Sequence, residues 1–351
     1  MGMKRKQIHG GDIYRNPQVM DFSVNTNPLG PPAGVLKVVQ TCAAQIVHYP
    51  DIWCEELVDA ISKYERVEPE EVLCGNGAAE LIYALVQAER PGKAILTAPS
   101  FAEYERALAG VGTEITYYEC RETEEFCIRQ DLVEMITEEY DMLVLCNPGN
   151  PTGQTIRKDQ LLEIADQCQK CGITLVLDEC FLDFLEDHAL YEMTEVRDQY
   201  PNMIILKAFT KLFCMPGIRL GYAICAEQTR LQKMQDMLQP WNVSVLAQNC
   251  GIEALKDCDE YIKETKSYLT RERDYLKKEL QKLENLKIQI YGSQANYLFF
   301  KGPEGLYERA LAEGFLIRDC ANYRGLGTGY YRISVRRHEE NERLIAWLKR
   351  L

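Results

Sequence analysis

Histidine is scarce in this sequence of 351 residues, at four, and no run of eighteen apolar residues occurs anywhere in it. The second absence argues against a membrane-spanning helix. The first bears on metals. The fourteen cysteines sit singly in apolar runs such as VLCGNG, LVLCNP and LDECF, where a thiol packs as a small hydrophobe. Cys168 and Cys171 form one C-x-x-C, but there is no second pair and histidine does not complete a tetrahedral set, so no metal is expected. Positive charge is also in deficit. A formal net charge of -13 argues against nucleic acid and anionic membrane as partners. The start, MGMKRKQIHGG, is basic without an apolar core behind it, and Lys6 stands where a myristoylation signal needs Ser or Thr. Internal repeats and low-complexity segments are missing too. The cytoplasm is the expected location.

What is present, 46% hydrophobic and 26% charged residues, describes a water-soluble globular chain. Its length exceeds one ordinary core, which predicts a large and a small domain. The expected division is an arm and small-domain segment at 1–45, a large ligand-binding domain at 46–245, and a C-terminal small domain at 246–351. From Ala94 to Glu179 short apolar runs alternate with helical patterns: ILTAP, a helix at 101–110, EITYY, a helix near 131–139, MLVLC, a helix at 157–171, then ITLVLDE. That alternation predicts an α/β fold with a mostly parallel sheet covered on both faces. Ligands in such sheets sit beyond the carboxyl ends of the strands. Three predicted strand ends carry polar residues: Pro99-Ser-Phe101, NPGNPTG at 147–153, and Asp178-Glu179. An acid closing a run as apolar as ITLVL pairs with something or holds a cationic ligand, which makes Asp178 a candidate.

The stretch Met203 to Cys225, MIILKAFTKLFCMPGIRLGYAIC, carries the chemistry. Lys211 follows Thr210 between two apolar runs, and desolvation there lowers the pKa of an amine. A neutral amine attacks carbonyls and forms Schiff bases. The plain alternative is a loop lysine with its head in water. Arg219 is a fixed cation suited to a phosphate. Upstream, Val72-Leu-Cys-Gly75-Asn76-Gly77-Ala78-Ala79 reads as a strand, a glycine turn and a helix start, which offers free N–H groups to an anion. The G-x-x-G remainder of a dinucleotide fingerprint is missing. In the polar arm at 7–32, His9, Asn25 and Asn27 are the candidate contacts, against local turn bonding by asparagine as the ordinary reading. Arg318 and Arg332 lie in apolar strand-like runs of the tail and read as anion receptors more readily than as surface ion pairs. A phosphate-binding helix start, a reactive lysine, a neighbouring arginine and a buried aspartate together suit pyridoxal 5'-phosphate, with Phe101 on the ring face and Asn150 at the ring hydroxyl.

These motifs resemble, over nearly the whole length, the fold type I pyridoxal-phosphate enzymes. The carriers are HGG at 9–11, DFSVNTNPLGPP at 21–32, HYPD at 48–51, GNGAAE at 75–80, NPGNPTG at 147–153, DECFLDF at 178–184, TKLFCMPGIRLGY at 210–222 and CANYRGLGTGYYRISVR at 320–336. Within the family the HGG arm, FAEYERALA at 101–109, QPWNVS at 239–244 and CANYRGL resemble the threonine-phosphate decarboxylases of cobalamin biosynthesis. The histidinol-phosphate aminotransferases are the adjoining branch. The resemblance implies that Lys211 holds the cofactor, Asp178 pairs with its ring nitrogen, and Asn150 and Phe101 bound its ring. It implies that Ala78, Ala79, Thr210 and Arg219 take the cofactor phosphate, and that Tyr49 reaches the phosphate of a neighbouring subunit in a homodimer. His9, Asn27, Arg318 and Arg332 would hold a small phosphorylated amino acid. Decarboxylation of L-threonine O-3-phosphate is the reaction implied, with aminotransfer on a substrate such as histidinol phosphate as the alternative. Two positions depart from the pattern: Phe181 stands where a tyrosine is usual, and Ala208 where a hydroxyl residue is common at the phosphate.

Overall fold

The computed structural model describes residues 9–351. The arm runs through β1 (Met20–Asp21) to α1 (Ala33–Thr41) and α2 (Glu55–Glu65). Alternating elements follow: β2 (Val72–Gly75), α3 (Ala78–Glu89), β3 (Lys93–Ala98), α4 (Ala102–Gly110), β4 (Glu114–Glu119), α5 (Asp131–Met135), β5 (Met142–Cys146), α6 (Lys158–Cys171) and β6 (Thr174–Asp178). Then come β7 (Met203–Ala208), β8 (Gly221–Ile224), α7 (Gln228–Gln235), α8 (Val245–Leu255) and the long α9 (Asp259–Gln281). The last unit holds β9 (Gln289–Ile290), β10 (Tyr297–Lys301), α10 (Leu306–Ala312), β11 (Phe315–Leu316), β12 (Arg318–Asp319), β13 (Tyr330–Ser334) and α11 (His338–Leu348). No helix among the described residues is long and apolar enough to cross a membrane.

Seven strands form the central sheet in the order β2-β8-β7-β6-β5-β3-β4. Five of them, β7, β6, β5, β3 and β4, run parallel, while β8 is antiparallel to both of its neighbours. The inner strands β5 and β6 are buried along their whole length because helices cover both faces, so they read as continuous apolar runs, while the edge strand β4 is largely half-buried. Period-two alternation still sorts their side chains. Leu175 and Leu177 join the core on one face with Ile205, while Val176 joins the other with Cys146, Leu206 and Tyr104 of α4. Asp178 therefore points to the face of α3 and α4, and Glu179 to the opposite one. The acidic pair seen in the sequence is split between two environments.

A second, four-stranded sheet has the order β12-β13-β10-β9. The strand-like run that carries Arg318, FLIRD at 315–319, is broken at Ile317. Its first half, β11, pairs in parallel with β1 of the arm, and its second half, β12, belongs to the four-stranded sheet. The arm is thereby tied to the C-terminal unit. The helix expected near 131–139 stops at Met135. After Thr41, α1 gives way to a tighter 3-10 segment, Cys42–Val47.

Candidate active site

The carboxyl ends of β6 and β7 meet the helix start after β2. At that start Gly77 has φ +87° and introduces α3, whose first N–H groups have no carbonyl within the helix to bind. A Cβ on Gly221 would come within 2.5 Å of the Ala78 nitrogen, so only glycine lets β8 approach the helix start this closely. Arg219, itself at φ +61°, lays its guanidinium over Gly77: a Cβ there would meet Nη2 at 2.6 Å. Ala78, Ala79 and Arg219 thus form one positive cup. Thr210, which precedes Lys211, is buried.

Two lysines four residues apart meet opposite fates. Lys207 is 3% exposed, and its Nζ lies 2.8 Å from Glu65 and 3.5 Å from Glu192. Burial works against its charge, but Glu65, Asp183, Glu179 and Glu192 outweigh that and hold its pKa well above the ordinary value. Lys211 lies past the strand end, 5.6 Å over the Phe181 ring. Burial pushes its pKa down, and Arg332 and Arg219 add to this against the opposing pull of Cys180 and Asp178. By this test Lys211 is the candidate reactive amine, while Lys207 is held in ion pairs.

Asp178 is fixed at both oxygens. Tyr104 donates to Oδ2 at 2.5 Å and the Cys180 N–H to Oδ1 at 3.0 Å. Tyr104 is fully buried, and sequence reasoning missed it because an aromatic on an amphipathic helix reads as core. Asn150 lies on the loop after β5, where its Oδ1 accepts from Arg332 Nη1 and, at 3.4 Å, from the Tyr323 hydroxyl. Arg332 also donates to the Ser23 carbonyl at 2.7 Å, while its buried Nε has no partner. Arg318 faces Arg332 directly across β12 and β13. Its guanidinium stacks on Tyr323 at 5.1 Å and reaches Asn322 at 2.7 Å. Like charges opposite each other on neighbouring strands repel, so the pair calls for anions. A cleft of about 40 Å³ runs between Arg318, His9 and Phe101. His9 bonds Glu103 at 2.8 Å, with its ring 5.6 Å from that of Phe101.

One expectation needs correction. The side-chain amide of Asn27 does not face the cleft. Its nitrogen contacts the Leu212 carbonyl at 2.9 Å, the Tyr261 hydroxyl at 2.9 Å and Thr265 at 2.8 Å, and its oxygen takes the Leu29 N–H at 3.0 Å. It clamps the loop that carries Lys211. Asn25, two residues earlier, is 2% exposed and leaves Oδ1 without a partner, which makes it the better candidate for a ligand. Tyr49 is far from filling any role within one chain: it is 78% exposed and stacks on Trp241 at 4.5 Å.

A helix-start anion cup, a neutralising lysine at the strand ends and a doubly held carboxylate define an enzyme of the fold type I pyridoxal-phosphate class. The chain belongs to the aminotransferase class I and II family, whose model matches residues 17–348. Threonine-phosphate decarboxylase from Salmonella typhimurium is 35% identical over 352 residues, covering 97% of this chain and 95% of that protein. A histidinol-phosphate aminotransferase from Desulfitobacterium hafniense is 30% identical, covering 94% and 91%. The crystal structure of the histidinol-phosphate aminotransferase from Clostridium acetobutylicum superposes with a TM-score of 0.87 at 28% identity, over 93% of this chain and 97% of that one. The cofactor is pyridoxal 5'-phosphate. The residues present fit it: the glycine-floored cup admits a phosphate, and the unpartnered Arg332 Nε and Asn25 Oδ1 are polar atoms awaiting a ligand.

Proposed function

We propose that the chain decarboxylates L-threonine O-3-phosphate to aminopropanol phosphate. The observation that carries this is the facing pair Arg318 and Arg332. Two cations side by side suit a substrate with two anionic groups, and phosphothreonine has a carboxylate and a phosphate. Histidinol phosphate has only the phosphate, so in the aminotransferase alternative the second cation would be met only by the carboxylate of the 2-oxo acid. The decarboxylase name of the 35% identical relative agrees.

In this reading Lys211 tethers the cofactor, Asp178 faces its ring nitrogen, Asn150 its ring hydroxyl and Phe101 its ring face. Ala78, Ala79, Thr210 and Arg219 take its phosphate. The cofactor supplies an electron sink for the bond that breaks at the substrate's α-carbon. Everything else is done by this chain. Arg332, the deeper arginine and the one on Asn150, holds the carboxylate near the reacting carbon. Arg318, beside His9 and the outer cleft, holds the phosphate, whose binding energy fixes orientation. Asn25 replaces Asn27 in the substrate set. The C–C bond to the carboxylate breaks, carbon dioxide leaves, and its electron pair stays behind. Lys211, freed when the substrate's amino group takes its place on the cofactor and carrying the proton that this group gives up, would then return a proton to the α-carbon; its lowered pKa makes it the readier donor.

The working form in this reading is a homodimer in which Tyr49 completes the partner's phosphate site. Its 78% exposure, with the exposed Trp241 ring beside it, supports this. The fourteen free cysteines support a reducing compartment, the cytoplasm. The test is to supply phosphothreonine without any 2-oxo acid. One carbon dioxide per substrate consumed is expected. Loss of the amino group only when a 2-oxo acid is added, with histidinol phosphate as the better donor, would replace this reading by the aminotransferase one.

A further inference from the structure

The segment from Arg121 to Ile128, between β4 and α5, touches neither the lysine nor the phosphate cup. Its backbone is nevertheless strained: Glu125 and Phe126 are consecutive non-glycine residues with left-handed φ of +52° and +60°. Such conformations are disfavoured for side-chain-bearing residues and persist only where surroundings enforce them. Here they drive Phe126, 3% exposed, edge-on into three rings of the C-terminal unit. Tyr291, Phe299 and Tyr330 lie at 5.0, 5.4 and 6.0 Å between centroids. Glu122 grips the same surface. Its carboxylate accepts from the Tyr291 hydroxyl at 2.5 Å, the Tyr330 hydroxyl at 2.7 Å and Lys301 Nζ at 2.9 and 3.1 Å.

The register says what is being gripped. Phe299 is the cross-strand partner of Arg332, Arg332 is the partner of Arg318, and Tyr330 precedes Arg332 by two. Alternation puts all four on one face of the four-stranded sheet. A strap from the large domain is therefore fastened to the very face that presents the two arginines, one residue pair away from them. On the other side Arg332 is held by Asn150 and Ser23.

We propose that Glu122 and Phe126 are positioning residues that set the two arginines over the reaction centre and so decide which bond at the α-carbon breaks. The inference rests on the decarboxylase reading and deepens it. A loosened strap lets the carboxylate drift, and when the α-hydrogen takes its place the amino group is transferred to a 2-oxo acid. A displacement on the scale of 1 Å costs on the order of 10²-fold in rate.

The experiment compares holoenzyme of the wild type with Glu122→Ala, Glu122→Gln and Phe126→Ala. It measures carbon dioxide released from phosphothreonine, amino transfer to an added 2-oxo acid, and the Kd of the cofactor. Both alanine variants are expected to raise KM, lower carbon dioxide release and raise the share of turnovers ending in amino transfer, with cofactor Kd within about twofold of wild type. Glu122→Gln, which still offers an acceptor to the tyrosines, is expected to lie between. An unchanged KM and product ratio in all three overturns the inference, and so does a parallel loss of cofactor affinity, which would mark a general structural role. If Phe126→Ala does not fold, Glu122→Ala and Glu122→Gln decide. If the wild type itself releases no carbon dioxide, the functional reading fails, and calorimetric binding of phosphothreonine to the same variants still tests the strap.

Discussion

Lys207 and Lys211 belong to the same apolar stretch, and nothing in their spacing says which is the reactive one. Their neighbours decide. Lys207 is buried, yet Glu65, Asp183, Glu179 and Glu192 hold its pKa above the ordinary value, whereas burial, with Arg332 and Arg219 adding to it, lowers the pKa of Lys211. Borohydride reduction of the holoenzyme should fix the cofactor on Lys211 alone, as read by peptide mass. Lys211→Ala should abolish fixation and turnover with little change in the denaturant midpoint. Lys207→Met should keep fixation but lose about 3–5 kcal/mol of stability, because Glu65 is left buried and uncompensated. Cofactor found on Lys207 would reverse the assignment. Asp178 was legible as an acid at the end of an apolar strand, while Tyr104, which holds it, was not. The motif NTN, at 25–27, shows the same limit. Its two asparagines are equivalent as letters, and only packing reveals that Asn27 is consumed by the Lys211 loop while the oxygen of Asn25 is left unpaired.

The elements that came through most clearly in the sequence are the parallel strands, because burial on both faces leaves an unbroken apolar run that helices separate. Elements bent by tertiary demands did not. FLIRD reads as one strand, yet Ile317 divides it between two sheets, and this division is what ties the arm to the arginine-bearing unit. The loop at 120–130 gave no periodic signal at all; its role lies in two left-handed residues and one carboxylate. That carboxylate also makes a pH prediction. Hydrogen bonds from Tyr291, Tyr330 and Lys301 lower the pKa of Glu122 from 4.5 to about 2. A depressed folded-state value means that stabilisation is fully present above 4.5 and is lost as pH falls through about 2. The wild type should therefore exceed Glu122→Gln in urea midpoint by a constant margin near pH 6, and the margin should shrink between 4.5 and 2. A margin that does not change over that range would show the carboxylate to be unlinked to folding.

At the scale of the whole molecule, the proposed homodimer has each chain's site completed by a residue of the other. The anion cup is formed by Ala78, Ala79 and Arg219 from one chain, while Tyr49 stands exposed against Trp241. Isologous dimers place the same patch on both subunits, so a residue leaving one chain enters the equivalent site of the other. Complementation separates this arrangement from a surface tyrosine without function. Lys211→Ala has no reactive amine, and Tyr49→Ala lacks the residue donated across the interface, so each homodimer should be inactive or nearly so. After unfolding and refolding an equal mixture, half of the dimers are mixed. Each mixed dimer has one site with Lys211 from one chain and Tyr49 from the other, and a second site with neither. About a quarter of the wild-type activity should return, because half of the dimers carry one intact site of two. If Tyr49 served its own chain, the mixed dimer would hold no intact site, and mixing would restore nothing.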